Sequence, residues 1–358
     1  MKKSLIAAAV VAALPAFAQA QTNVTMYGIA DISVNMVDRG DNSRSALYVD
    51  SGGMSTSRWG VRGSEDLGGG LKAVFQFEAG VGVDTGAHDG SFFQRTAQVG
   101  LQGGFGTIKL GRGYTPAFRT YGTWDAMSYG LFGNLLSATA GAGQAQTRFS
   151  NAIMYDSPSF GGLQVLAAYT NAHSSDERGV ADVSANDRDI TQGFDIALQY
   201  KGGPLNAGAF YQQTNTANGT DALSTDRYGI GAGYQFGSFK LVGGYSQSSA
   251  DLPGGGDFEV EVFSIGGIMK LGTGSLHAQF ISIDPDGNDN DGQVFGVAYV
   301  HPMSKRTSLY AHIGIANNDD SSAPGGPAQL WGSGYSYSAD GAPGSSLKGF
   351  GVGIRHVF

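Results

Sequence analysis

The 358-residue sequence contains no cysteine, so disulfide bonds cannot stabilise its fold. Beyond the first twenty residues it also lacks any apolar run of about 18 residues, which excludes a membrane-spanning α-helix. Basic residues are fewer than acidic ones, 22 against 30, and this balance gives no sign of a nucleic-acid partner. Gly-x-Ser-x-Gly, His-Glu-x-x-His and phosphate-loop patterns are absent as well. The sequence therefore predicts neither an enzyme nor a bound cofactor or metal.

The first twenty residues have the organisation of a signal peptide. Lys2 and Lys3 precede an almost wholly apolar stretch, residues 4–17, and Ala18-Gln19-Ala20 supplies a small-x-small cleavage pattern. We expect residues 1–20 to be removed. Residues 21–358 then form a single domain outside the cytoplasm.

The rest of the chain alternates apolar and polar residues with a period of two, as half-buried strands do. In the segment 24–36, Val24, Met26 and Ile32 fall on one face while Thr25 and Asp31 fall on the other. Sixteen such segments can be counted. They lie near 24–36, 55–65, 71–80, 93–102, 106–112, 149–156, 162–171, 194–201, 204–213, 228–236, 239–247, 258–270, 275–283, 293–301, 307–316 and 347–358.

The connections between these segments also alternate, between seven short turns and eight longer loops. The loops cover roughly 37–54, 81–92, 113–148, 172–191, 214–226, 248–257, 284–292 and 317–346. Short turns on one rim and long loops on the other are typical of outer-membrane barrels. Aromatic residues on the apolar parity lie next to both kinds of connection, as interfacial girdles do. Because hydrocarbon cannot satisfy a free strand edge, the sequence predicts an all-β, closed, transmembrane barrel of 16 antiparallel strands.

Several strings of residues resemble the general diffusion porins of β-proteobacteria. They are residues 24–28 (VTMYG), 57–73 (SRWGVRGSEDLGGGLKA), 105–112 (FGTIKLGR), 155–158 (YDSP) and 353–358 (GIRHVF), and the resemblance extends over essentially the whole chain. It implies a homotrimer in the Gram-negative outer membrane, with the short turns in the periplasm and the long loops outside. The expected surroundings are outer-membrane lipid and lipopolysaccharide. The resemblance also implies that the third loop, 113–148, folds into the lumen and narrows it.

The candidate constriction residues come partly from alternation and partly from the resemblance. A lipid-facing arginine costs about 2–4 kcal/mol at the bilayer midplane, so Arg58 and Arg62 should face the lumen. Glu78 and Lys109 fall on the inward parity by the same count, and Arg148 shares the parity of Ala152 and Met154. The full predicted set is Arg58, Arg62, Arg95, Lys109, Arg112, Arg119, Asp125 and Arg148.

Two members of this set are harder to place. Alternation alone gives Arg95 the outward parity of Val99, whereas the resemblance implies that it lies in the lumen. Asp125 is the only carboxylate between Asp89 and Asp156, so the third loop is poor in the acid that usually opposes a basic wall in porins.

These features predict passive diffusion of small hydrophilic solutes and ions through a water-filled channel, with anions preferred. One alternative is a channel specific for one class of small anions or sugars. Others are a plugged structural or adhesive barrel and a barrel with hydrolase residues on its wall. An acidic stretch, Asp284 to Asp291, half-resembles a calcium loop but lacks its sixth-position glycine and twelfth-position glutamate. We expect it to be a solvated loop tip.

Overall fold

The computed structural model describes residues 23–40, 45–88, 91–138, 146–171, 190–218, 221–252, 254–286, 291–319, 327–331, 336–337 and 344–358. The predicted signal peptide and part of the acidic stretch, including Asp289, lie outside these ranges. Within them, no helix is both long enough and apolar enough to cross a membrane.

Strands dominate the described ranges, and short helices occur only in the third loop. The strands are β1 (Asn23–Asp38), β2 (Ala46–Ser51), β3 (Arg58–Gly68), β4 (Leu71–Gly80), β5 (Thr96–Gly103), β6 (Gly106–Tyr114), β7 (Arg148–Asp156), β8 (Leu163–Thr170), β9 (Ile190–Gly202), β10 (Leu205–Asn218), β11 (Asp221–Phe236), β12 (Phe239–Asp251), β13 (Asp257–Leu271), β14 (Gly274–Pro285), β15 (Gly292–Pro302), β16 (Thr307–Asn318), β17 (Leu330–Trp331), β18 (Ser336–Tyr337) and β19 (Leu347–Val357). The helices are α1 (Pro116–Tyr121) and the 3₁₀ turns η1 (Gly122–Trp124) and η2 (Leu135–Ser137).

Sixteen of these strands close into one antiparallel barrel, which confirms the predicted fold. The first strand, β1, pairs with β19 on one edge; its other edge pairs with β3 near its start and with β2 near its end. At the closure, Gly28 and Phe358 exchange two backbone hydrogen bonds, each with an N···O distance of 3.0 Å. This closure gives the first and last strands of the barrel partners, as hydrocarbon requires.

The apolar residues of the alternating pattern lie on the outer wall of the barrel. Met26, Val99 and Ile230 expose 68%, 56% and 62% of their surface, which a water-soluble domain would rarely allow for a continuous band. Phe236 near the short turns and Tyr228 near the long loops are exposed on the same face. This is the arrangement of aromatic girdles that bound an apolar zone.

Several predicted loops are shorter than the sequence suggested. The fifth, 214–226, is mostly strand, because β10 and β11 continue pairing to Asn218 and Asp221. The sequence of these extensions is rich in threonine and asparagine and carries no apolar period, although the backbones still pair. In the first loop, β2 adds a strand beside β1.

The third loop lies inside the barrel, as the resemblance implied, and packs against glycines of the inner wall. A Cβ atom built on Gly231 would lie 2.2 Å from the ring of Trp124, and one on Gly244 would lie 2.4 Å from it. Gly314 and Gly349 lie in the same way beneath Phe132. Only residues without side chains let these rings approach the sheet so closely. The inner glycines are therefore a docking face for the loop.

Backbone amides of the loop are also bound by side chains on the opposite wall. The amide of Ala117 donates to Asp195 Oδ1 at 3.0 Å, and that of Ala126 donates to Gln279 Oε1 at 2.5 Å. The amide of Phe132 donates to His312 Nδ1 at 3.1 Å. Buried backbone groups need partners, and these side chains supply them from three different strands. The loop is thus fixed to the wall between Ala117 and Phe132.

Candidate functional site in the barrel lumen

Glu78 on β4 is the centre of a charged cluster on the inner wall. Its Oε1 accepts a hydrogen bond from Arg95 Nε at 2.8 Å and lies 3.8 Å from Arg58 Nη1. Its Oε2 accepts a hydrogen bond from Tyr27 at 2.9 Å. The Glu78 and Arg95 side chains are each only 6% exposed. A buried pair of this kind is costly to break from one side, because the remaining charge is left without compensation.

Strand alternation explains why part of this cluster faces the lumen. Phe77 is exposed on the outer wall, so its neighbour Glu78 points inward. Arg62 pairs in register with Gln76, two residues before Glu78, and therefore shares its face with Arg58. The predicted inward orientation of these side chains follows from one regular stretch of β3 and β4.

Arg95 reaches the cluster for a different reason. The fifth strand begins at Thr96, one residue later than Arg95, so the strict alternation that pointed Arg95 outward does not apply to it. Its guanidinium contacts the inward-facing Glu78 and the hydroxyl of Tyr114. Of the two orientations raised by the sequence, the structure has the inward one.

Arg148 contacts Arg95 at the side of the cluster next to the third loop. Its Nη2 donates to the Tyr114 hydroxyl at 2.8 Å, and its Nε donates to the Arg95 carbonyl at 3.1 Å. The parity argument for Arg148 is wrong, because the β6–β7 register shifts and Asn151 adopts a left-handed φ of 50°. Beyond this bulge Phe149, and not Arg148, takes the buried position next to Met154.

The electrostatic balance of the cluster is positive. Among the described residues, the cluster holds three guanidinium groups, those of Arg58, Arg95 and Arg148, and one carboxylate, that of Glu78. Arginine stays protonated under all ordinary conditions, so the excess is two positive charges. The arrangement offers fixed cations and hydrogen-bond donors, which can lower the energy of an anion in transit.

Asp125 does not face these arginines. It lies in the in-folded loop, outside the spanning strands, where Oδ1 accepts the amide of Met127 at 2.9 Å and Oδ2 that of Tyr129 at 2.8 Å. Burial raises the pKa of Asp125 to about 6, although these amide hydrogen bonds lower it. The carboxylate holds a turn in which Ser128 and Tyr129 both have left-handed φ angles, 58° and 59°.

Comparison with known proteins agrees with the fold. A family model described as "Gram-negative porin" matches residues 7–321. The chain belongs to the Gram-negative porin family. Outer membrane porin protein 32 of Delftia acidovorans is 35% identical over 364 residues and an outer membrane porin protein of Bordetella pertussis is 32% identical over 406, each match covering all of both chains. A solved structure titled "Anion-selective porin from Comamonas acidovorans" has a TM-score of 0.81 and 32% identity, covering 94% of this chain and 100% of its own.

The chain is therefore an outer-membrane channel protein, and the resemblance drawn from its sequence is confirmed. The in-folded loop and the sixteen-stranded barrel are the structural basis of that channel in this porin.

The remaining four candidate residues of the porin lie in three other places. Lys109 Nζ and Arg119 Nη1 both bind Asp156, at 2.9 and 2.7 Å, in a second group at the short-turn end of β7. Arg62 lies over the ring of Tyr27, with its guanidinium carbon 5.0 Å from the ring centroid.

Arg112 lies on the opposite face of β6 from Lys109. It is in register with Ala97, on the parity of the exposed Leu110, and it donates to the carbonyl of Gln94 and to Ser150 Oγ. These bonds tie β6 to the segment before β5 and to β7.

Two porin residues were missed at the sequence level. Arg355 lies on the inward parity of β19, next to the exposed Ile354, and its Nε donates to Ser55 Oγ at 2.8 Å. Alternation could have found it. Tyr114 is the last residue of β6, and the alternating pattern does not predict its direction, so only its contacts place it in the cluster.

Proposed function

We propose that this porin is a passive diffusion channel in which anions pass more readily than cations. The observation that carries the proposal is the cluster of Arg58, Arg95 and Arg148, which contains one described carboxylate, that of Glu78. The related structure whose title names an anion-selective porin supports the same preference. The net charge of the whole chain is −8, but charge in outer loops is screened over a Debye length of about 8 Å. The positive charge of the cluster then affects a passing ion more than the negative net charge of the whole chain does.

The size of the preference follows from the two excess positive charges. One unit charge about 8 Å from the ion path, with an effective dielectric of about 40–80, contributes roughly 0.5–1 kcal/mol. Salt reduces this to about a third over one Debye length. Each of the two excess charges lowers the energy of an anion and raises that of a cation by the same amount. Together they give an anion-to-cation permeability ratio of several-fold to about tenfold.

The test is the reversal potential across a KCl gradient for the wild type and for a variant with Arg58, Arg95 and Arg148 all changed to Gln. We expect chloride preference in the wild type and its loss in the triple variant. A matched control changes Lys305 and Arg306, which are exposed in the turn between β15 and β16, to Gln. Cation preference in the wild type contradicts the proposal; so does a triple variant that behaves like the control.

We also propose that the porin is a homotrimer. Ala30 on β1 and Ala97 on β5 place small side chains on the outer wall, and these suit close contact with protein better than contact with lipid. We expect the purified protein to migrate as a complex that dissociates on heating. A monomer mass by light scattering in mild detergent would contradict this.

A further inference from the structure

Tyr114 lies where the third loop meets the arginine cluster. Its hydroxyl accepts hydrogen bonds from Nη2 of both Arg95 and Arg148. The Arg148 guanidinium carbon also lies 4.4 Å from the centroid of the Tyr114 ring, and that of Arg95 lies 5.8 Å from it. One phenol therefore binds two guanidinium groups through its oxygen and its ring.

Two like charges so close together repel, and the lumen offers water as an alternative partner for each. A shared neutral oxygen opposes their separation, because hydrogen bonds from cations are stronger than those between neutral groups. Arg95 also binds Glu78 through Nε, and Arg148 binds a backbone carbonyl through Nε, while Nη2 of each donates to Tyr114.

The Tyr114 ring is also part of a stack within the third loop. It stacks on Phe118 with a centroid distance of 5.4 Å, and Phe118 stacks on Tyr129 at 4.6 Å. The Tyr129 hydroxyl donates to the carbonyl of Phe118 at 2.8 Å. The position of the phenol is thereby fixed by the loop, and the loop is fixed by the opposite wall.

We propose that Tyr114 is a positioning residue for ion selectivity, which holds Arg95 and Arg148 against the ion path and so couples the shape of the third loop to the field in the channel. The inference rests on the proposed anion preference and names a further residue that determines it. Tyr114 acts through the arginines and carries no charge of its own in this role.

The experiment measures the chloride-to-potassium permeability ratio from reversal potentials for Tyr114→Phe and Tyr114→Leu. If each guanidinium relaxes from about 8 to about 12 Å from the path, Tyr114→Phe lowers the ratio by about two- to fivefold. Tyr114→Leu, which also removes the ring, lowers it further. Tyr155→Phe is the matched control, because it removes a hydroxyl that donates to the Phe105 carbonyl at an exposed position near the short turns.

A second measurement separates positioning from general damage to the fold. In an Arg95→Gln and Arg148→Gln background, Tyr114→Phe should have no further effect on the ratio, since the groups it positions are gone. Equal ratios in wild type and Tyr114→Phe overturn the inference, as does a full effect in the double-Gln background. Cation preference in the wild type instead refutes the proposed function, so the two failures are distinguishable.

Discussion

Changing Glu78 to Gln removes the carboxylate that, in the described part of the chain, contacts the arginine cluster, and it keeps the shape of the side chain. The amide oxygen of the glutamine can still accept a hydrogen bond from Arg95 or from Tyr27. It lacks the negative charge of the carboxylate that binds both groups. If the guanidiniums of Arg95 and Arg58 stay in place, the excess charge of the cluster rises from two to three. We therefore expect anion preference to increase.

The magnitude follows from the same electrostatics. A unit charge about 8 Å from the path contributes roughly 0.5–1 kcal/mol before screening and about a third of that at physiological salt. The effect has opposite signs for an anion and a cation, so the chloride-to-potassium ratio should rise about two- to fourfold. The ion pair is nearly buried, and removing one partner of such a pair can cost about 3–5 kcal/mol of stability. The amide of glutamine offsets part of that loss.

The assay is the reversal potential in a KCl gradient, measured at low and high salt so that screening can be seen. Glu78→Ala is the comparison, because it removes both the charge and the hydrogen-bond acceptor that holds Arg95. Glu78→Gln should exceed wild type in anion preference and Glu78→Ala should fall below Glu78→Gln. A Glu78→Gln channel that is unchanged, or shifted toward cations, would refute the view that fixed charge at this cluster sets selectivity.

Asp125→Asn should leave the chloride-to-potassium permeability ratio within about 1.5-fold of the wild-type value, because the carboxylate faces loop amides. The ratio is obtained from the reversal potential in a KCl gradient. Because burial raises the pKa of Asp125 to about 6, the folded porin binds more protons than the unfolded chain between about pH 4 and 6. The apparent Tm of wild type should then fall relative to Asp125→Asn as pH rises through that window, and a constant difference would contradict this. Gly231→Ala places a Cβ 2.2 Å from the Trp124 ring, so it should displace the third loop and raise single-channel conductance and noise. Gly233→Ala, whose Cβ lies nearest the Lys240 and Val242 side chains of the barrel wall, is the control, and equal traces from the two variants would count against loop docking on glycine.

The sequence alone determined the barrel and the direction of side chains within regular strands. Successive side chains of a strand point to opposite faces, so Glu78 points inward because its neighbour Phe77 is exposed on the outer wall. The register between β3 and β4 then places Arg62 and Arg58 on the same inward face. The alternation of short turns and long loops gave the number of strands and the two rims. These features are local, and each segment carries them independently of the others.

Only the tertiary structure decided which charges meet. Arg95 lies before its strand and Arg148 lies beyond a bulge, so neither side chain is governed by alternation. Asp125 is in a loop, where its direction is set by the amides of Met127 and Tyr129. Residues far apart in sequence become neighbours in the lumen because the chain closes on itself and the third loop docks on the far wall. The charge of the cluster is therefore a property of the closed barrel, which no single segment contains.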